Sequence, residues 1–382
     1  MEESTVVVIV GAGPSGLATS ACLNTSSIPN IILEREDCSA SLWRKRSYDR
    51  LGLHLAKSFC SLPLKPHSPE TPTFMSKETF IAYIDSYVSE FDINPKYCRS
   101  VELGFFDEER NKWVVEAKNL VSGDMEKYYS RFLVVATGEN NEAFFAKLPG
   151  LESFGGETLH SSEYKCGEAY SGKDVLVVGC GNSGMEICND LTAYEAWPTM
   201  VVRSPFHVLS RRMVQSGMLM LKWLPMSFVD FFISLAAKFT YGDLSKYGII
   251  RPGKGPFSLK VDSGRTPVID GGSIEKIKSK KIKVVPEILN IRGNQVFFAN
   301  GTEGYFDVII FATGYRSAAH KWLKDYCYLL NDNGMPRNEY PNHWKGEKGI
   351  YCAGLTRGGL PGVSSDVIVI TNDIYKILLR NK

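Results

Sequence analysis

Two stretches of the chain repeat one pattern of apolar and polar positions. Val6-Val7-Val8-Ile9-Val10 is a continuous β-branched run, as in a strand buried on both faces. It leads into Gly11-Ala12-Gly13-Pro14-Ser15-Gly16 and a helix-like Leu17 to Leu23, and then Ile31-Ile32-Leu33 ends in Glu34. The succession returns as Asp174-Val175-Leu176-Val177-Val178, Gly179-Cys180-Gly181-Asn182-Ser183-Gly184, a helical Met185 to Leu191, and Met200-Val201-Val202 ending in Arg203-Ser204. Strand, glycine turn, helix and strand form the opening unit of a dinucleotide-binding fold, so the chain is expected to hold two.

Two further apolar runs stop at a glycine turn. Arg131-Phe132-Leu133-Val134-Val135 enters Ala136-Thr137-Gly138, and Phe306-Asp307-Val308-Ile309-Ile310 enters Phe311-Ala312-Thr313-Gly314-Tyr315. One precedes the second glycine motif and the other follows it, which places the second module inside the first. The expected fold is α/β, with two nested Rossmann-like dinucleotide-binding domains. The first covers 1–164 and 301–382, returning through Gly349-Ile350-Tyr351-Cys352-Ala353-Gly354, and the inserted one covers 165–300.

The glycines have separate tasks. Gly11 permits the tight turn, Gly13 lets the backbone approach a pyrophosphate, and Gly16 lets helix and strand meet, with the anion at the helix N-terminus. Glu34 stands roughly 20 residues beyond Gly11, where a carboxylate accepts hydrogen bonds from ribose hydroxyls, as in the adenosine half of FAD or NAD. The second unit has Arg203 at that place. A guanidinium suits a ribose 2′-phosphate and points to NADP(H), the alternative being a solvated strand-end arginine.

Net charge is +2 from 44 Lys+Arg against 42 Asp+Glu, so no charge excess points to nucleic acid or a polyanionic surface. The nine cysteines contain no C-x-x-C pair, which removes the usual redox dithiol and zinc-ribbon spacings. The acidic start, without a basic leader, and the scattered thiols lead to the expectation of a reducing, cytoplasmic location. The six histidines show no paired spacing, and no metal site is expected. The apolar stretch near 213–239 is interrupted by Lys222, Pro225 and Asp230, so a membrane-spanning helix is not expected. It reads as a buried helical pair, as the lining of an entrance for a flat aromatic substrate, or as a membrane-touching face.

Phe154-Gly155-Gly156-Glu157-Thr158-Leu159-His160-Ser161-Ser162-Glu163-Tyr164 matches the F-x-G-x-x-x-H-x-x-x-F/Y motif of flavin-containing monooxygenases, and Phe311-Ala312-Thr313-Gly314-Tyr315 is similar to their L/F-A-T-G-Y motif. Tyr48-Asp49-Arg50-Leu51, Leu53-His54-Leu55, Ala136-Thr137-Gly138-Glu139-Asn140 and the run from Gly179 to Met185-Glu186 most resemble the plant YUCCA-type monooxygenases. The resemblance implies a two-dinucleotide-binding flavoprotein with FAD and NADPH as cofactors and O2 as cosubstrate. Its expected reaction is the oxidative decarboxylation of indole-3-pyruvate, an aromatic 2-oxo acid, to the auxin indole-3-acetate through a C4a-peroxyflavin.

The same resemblance carries residue roles. Gly11 to Gly16, Glu34, Trp43, Thr137, Gly138, Gly179 to Gly184, Arg203, Ser204, Thr313 and Gly314 are expected at the cofactors. Trp43 either packs beside FAD or is a buried anchor. His54 stands where many other flavin monooxygenases carry an asparagine, and either donates or relays a proton at the reacting oxygen or packs against flavin or core. Asn140 either hydrogen-bonds a cofactor or closes a turn. Ala56, Asn141, Pro205, Ser210-Arg211-Arg212 and Gly358-Gly359 depart from the usual YUCCA pattern, all outside the glycine motifs. The alternatives are an N- or S-oxygenating flavin monooxygenase and a non-catalytic FAD- and NADP-binding regulator. The expected location is cytoplasmic or peripheral to the endoplasmic reticulum.

Overall fold

The computed structural model describes residues 2–380, which divide into two compact units. One takes in residues up to 46, 57–142 and 315 onward; the other takes in 47–56 and 143–314.

In the first unit the strands Asn30–Leu33, Glu2–Val10 and Met125–Val135 lie side by side in that order, all parallel. Met125–Val135 belongs to two surroundings at once. Its first half alternates exposed and buried residues and pairs antiparallel with Lys112–Asn119, which in turn pairs with Arg99–Asp107. Its second half, Phe132 to Val135, is buried without alternation and pairs in parallel with Ile350–Cys352. The change from alternating to continuous burial is the change from a sheet with one wet face to one covered on both. The helices Pro14–Thr25 and Gly359–Leu379 pack together.

The second unit holds a parallel sheet in the order Lys283–Val285, Trp197–Val201, Asp174–Val178, Val308–Phe311 and Glu157–His160. A three-stranded antiparallel sheet, Ile288–Arg292, Gln295–Phe298 and Glu303–Tyr305, precedes the last return. Both units are Rossmann-like, but the boundaries differ from the sequence expectation. Val308–Phe311, assigned to the first domain by chain position, pairs with Asp174–Val178, and Glu157–His160, assigned likewise, pairs with Val308–Phe311 at the sheet's edge; residues 47–56 also cluster with the second unit.

The stretch near 213–239 forms the helices Arg211–Met220 and Met226–Tyr241. Val229, Ile233, Ala237 and Tyr241 bury one face of the latter. Its other face is exposed, so the buried-pair reading holds for half of this helix. Among the described residues no helix is long and apolar enough to cross a membrane.

Candidate functional site: two glycine turns and a histidine anchored on the second

The first glycine turn is closed by backbone. Gly11 has φ +109°, and a Cβ there would fall 2.6 Å from the carbonyl oxygen of Ala136; a Cβ on Gly16 would fall 1.9 Å from that of Gly11. Gly13 caps the helix Pro14–Thr25 and differs, since a Cβ built on it meets nothing within 4 Å. It faces a cavity of about 450 Å³, where Gly11, Pro14, Ser15 and Glu34 also form part of the wall. Ala12 is fully buried behind the turn.

Glu34 binds this turn directly. Its Oε2 accepts the N–H of Ala12 at 2.7 Å, and its Oε1 accepts that of Glu36 at 3.0 Å. Burial raises its pKa above the ordinary carboxylate value, and the two backbone hydrogen bonds oppose that rise. Trp43 lines the cavity and rests on Phe80 with ring centroids 4.7 Å apart. Thr137, Gly138 and Asn140 line it too, following the strand Met125–Val135. Two residues of the wall, Thr137 and Trp322, carry buried polar atoms with no hydrogen-bond partner among the described residues: Thr137 Oγ1 and Trp322 Nε1.

Sequence reasoning missed how the returning chain is fixed. Gly354 lies so near Ser15 that a Cβ would fall 2.1 Å from its Oγ. Its N–H donates to Asp366 Oδ2 at 2.9 Å, while Asp366 Oδ1 meets His343 Nε2 at 2.9 Å, with both side chains almost fully buried. The available signal was a single acid, Asp366, directly before the apolar run Val367 to Ile370.

The second glycine turn repeats the first. Gly179 has φ +120°, and a Cβ there would fall 2.4 Å from the Ala312 carbonyl oxygen; a Cβ on Gly184 would fall 2.1 Å from that of Gly179, and one on Gly181 would meet nothing within 4 Å. Asn182 turns its side chain away from the turn, Oδ1 accepting the N–H of Ile269 at 2.7 Å. Burial pushes the Cys180 thiol up to about 11, so it stays protonated at neutral pH. Ser183 and Ser204 are half-buried, and Arg203 is exposed at the strand end with no ion pair among the described residues.

His54 is anchored on the helix of this second turn. Glu186, on the helix Asn182–Leu191, meets His54 Nε2 at 2.8 Å through Oε1 and accepts the Tyr48 hydroxyl through Oε2. One turn on, Asp190 pairs with Arg50 at 3.1 Å and accepts the Tyr164 hydroxyl at 2.7 Å and the N–H of Gly167 at 2.8 Å. The i,i+4 spacing of two acids on that helix was the signal for these residues. His54 thus belongs to the second unit and Asn140 to the first. In the second unit, His160 bridges Ser162 Oγ at 3.0 Å and the Gly314 carbonyl at 3.1 Å, and Thr313 Oγ1 donates to the Phe144 carbonyl. Those side chains tie the strand ends together.

The flavin-binding monooxygenase-like family matches residues 4–335. The chain is 53% identical over 379 residues, 99% of each chain, to "Probable indole-3-pyruvate monooxygenase YUCCA10" of Arabidopsis thaliana. The chain belongs to the YUCCA-type flavin-binding monooxygenases. Rice "Indole-3-pyruvate monooxygenase YUCCA1" is 46% identical, with 96% of this chain and 91% of the relative covered. Among solved structures, a flavin-containing monooxygenase from Stenotrophomonas maltophilia superposes with a TM-score of 0.74 at 20% identity, over 98% of this chain and 99% of that one. Cyclohexanone monooxygenase from Rhodococcus sp. Phi1 gives 0.75 at 15% identity, over 98% and 85%. These two share the fold of this YUCCA-type chain.

Proposed function

We propose that this chain is an NADPH- and O2-dependent monooxygenase that converts indole-3-pyruvate to indole-3-acetate with release of CO2, using FAD. The observation that carries the reading is 53% identity, end to end, to a relative named for this substrate. The residues fit the cofactor. A cavity of about 450 Å³ at a glycine turn, with Gly13 open to it and with Thr137 Oγ1 and Trp322 Nε1 lacking partners among the described residues, suits a large polar ligand.

When bound, FAD takes a hydride from NADPH and passes one atom of O2 to the substrate, the other leaving as water. The chain's own residues position and shield. The helix N-terminus would present the backbone N–H groups of Gly13 and Ser15 and a positive dipole end to the pyrophosphate, Pro14 between them having no N–H to leave unpaired. Glu34, already engaged by Ala12 and Glu36, retains lone pairs for ribose hydroxyls. Arg203, at the end of the strand after the second turn's helix, would pair with the 2′-phosphate of NADPH, with Ser204 beside it.

His54 has its Nε2 committed to Glu186, so the carboxylate fixes the ring and leaves Nδ1 to hold or deliver a proton at the reacting oxygen. Asn140, exposed on the cavity wall, offers an amide to the cofactor. A cytoplasmic location is part of the proposal and is supported by nine cysteines that are all free thiols. Purified protein given NADPH, air and indole-3-pyruvate is expected to yield indole-3-acetate and CO2 in step with NADPH consumed. Rapid NADPH oxidation giving only hydrogen peroxide would remove this substrate, and an amine or thioether oxide as product would favour the N- or S-oxygenating reading.

A further inference from the structure

The helix Met226–Tyr241 has a second apolar stripe that the protein does not cover. Phe228, Phe231, Phe232, Leu235 and Phe239 recur at helical spacing opposite the buried Val229, Ile233 and Ala237, and all are exposed. Phe239 is 82% and Phe231 62% exposed, and Trp223 in the preceding turn is 87% exposed. A run of large apolar side chains of this extent in water marks an interaction surface.

The charges around the stripe are of one sign. From 211 to 241 the cationic residues are Arg211, Arg212, Lys222 and Lys238, and the only acid is Asp230. Asp230 is buried and turned inward, accepting the N–H groups of Phe257 and Ser258 and the Ser258 hydroxyl. The first acid beyond the helix, Asp243, accepts from Ser245. On the helix packed beside it, Asp262 pairs with Lys254. The stripe from Phe228 to Phe239 is roughly 17 Å long at 1.5 Å per residue, too short to span a bilayer and suited to lie along one.

We infer that the helix Met226–Tyr241, with Trp223, docks flat on an anionic phospholipid surface, its aromatic rings entering the interface and Lys222 and Lys238 meeting the headgroups. Exposed Trp and Phe flanked by lysines are the pattern of interfacial helices. A second copy is the weaker occupant, since a symmetric contact would bring the same cations to the same face. The inference does not depend on which substrate the enzyme oxidises.

The test is sedimentation of the flavin-loaded full chain with vesicles of phosphatidylcholine containing about a third phosphatidylserine, against phosphatidylcholine alone. Wild type is expected to pellet with the anionic vesicles and roughly tenfold less with the neutral ones. The combined variant Trp223→Ser, Phe231→Ser, Phe239→Ser is expected to lose roughly tenfold or more of the binding at unchanged flavin content. Fluorescence quenching by brominated lipid, present in wild type and diminished in Trp223→Phe, reports the same contact without disturbing the fold. Wild type left in the supernatant, equal pelleting of the triple variant at full flavin content, or quenching unchanged in Trp223→Phe would overturn the inference. So would a wild-type dimer that the triple variant dissolves without any lipid binding.

Discussion

His54 Nε2 sits 2.8 Å from Glu186 Oε1, so the one histidine singled out for catalysis is held by a carboxylate on the helix of the second glycine turn. Tyr48 binds the other oxygen of the same carboxylate. A charge-assisted hydrogen bond is worth about 1.5–3 kcal/mol, and its loss frees the imidazole to rotate.

Glu186→Gln is therefore expected to lower indole-3-acetate formed per NADPH by roughly tenfold, with the difference appearing as hydrogen peroxide. His54→Ala gives the same defect, and the double variant is no worse than either single one. Parallel assays of acetate, peroxide and NADPH check this. Full coupling in Glu186→Gln would separate the carboxylate from the proton-handling role given to His54.

Gly13 and Gly16 separate binding from folding. A methyl on Gly16 meets the Gly11 carbonyl, a backbone group that cannot move aside, whereas one on Gly13 meets only the cavity. Gly16→Ala is expected to destabilise by several kcal/mol or leave little folded protein. Gly13→Ala should fold with the melting temperature of the flavin-free protein and lose most of its flavin, read as the ratio of absorbance near 450 nm to that of protein. Full flavin occupancy in Gly13→Ala would mean that the cofactor does not lie against this turn.

Arg203 supplies the exposed cation after the second βαβ strand. Arg203→Ser is expected to raise KM for NADPH roughly tenfold or more while leaving that for NADH nearly unchanged, because only NADPH carries the 2′-phosphate. Steady-state oxidation of both nucleotides checks it. An equal rise for both would assign Arg203 a role away from that phosphate.

Acid should weaken the first unit through Glu126. Arg99 holds this carboxyl down to about 2 from an ordinary 4.5, with help from Tyr128 and Asn119 and against the penalty of burial. A pKa lowered in the folded state adds stability that is complete above pH 4.5 and is lost as pH falls from there through about 2. The contribution at neutral pH is on the order of 2 kcal/mol. Urea unfolding of wild type and Glu126→Gln should differ by that amount at pH 7 and converge towards pH 2. Because Arg99 also lines the cavity, flavin release should follow the same acid limb.

The glycine turns were legible in the sequence because a close backbone approach requires glycine at fixed spacing, and both turns form as read. The unit boundaries were not. The run from Val308 to Phe311 announces a buried strand, but apolar burial does not say which sheet a strand joins; its pairing with Asp174–Val178 decided it, and Glu157–His160 follows by pairing with Val308–Phe311. His54 was legible as a residue and its partner was not, since Glu186 lies more than a hundred residues further along the chain. Composition left the stretch near 213–239 open between a buried and an exposed reading. Helical spacing there serves two faces, and only packing shows that Val229 and Ile233 are inside while Phe231 and Phe239 are in water.

Oxygen labelling with 18O2 in ordinary water, using the flavin-loaded protein, NADPH and indole-3-pyruvate, tests the decarboxylating monooxygenation itself. Catalase must be present, because free hydrogen peroxide decarboxylates 2-oxo acids unaided. One labelled oxygen is expected in the carboxylate of each indole-3-acetate, none in the CO2, and one acetate per NADPH. Acetate that disappears when catalase is added would contradict this, since the protein would then be only a source of peroxide.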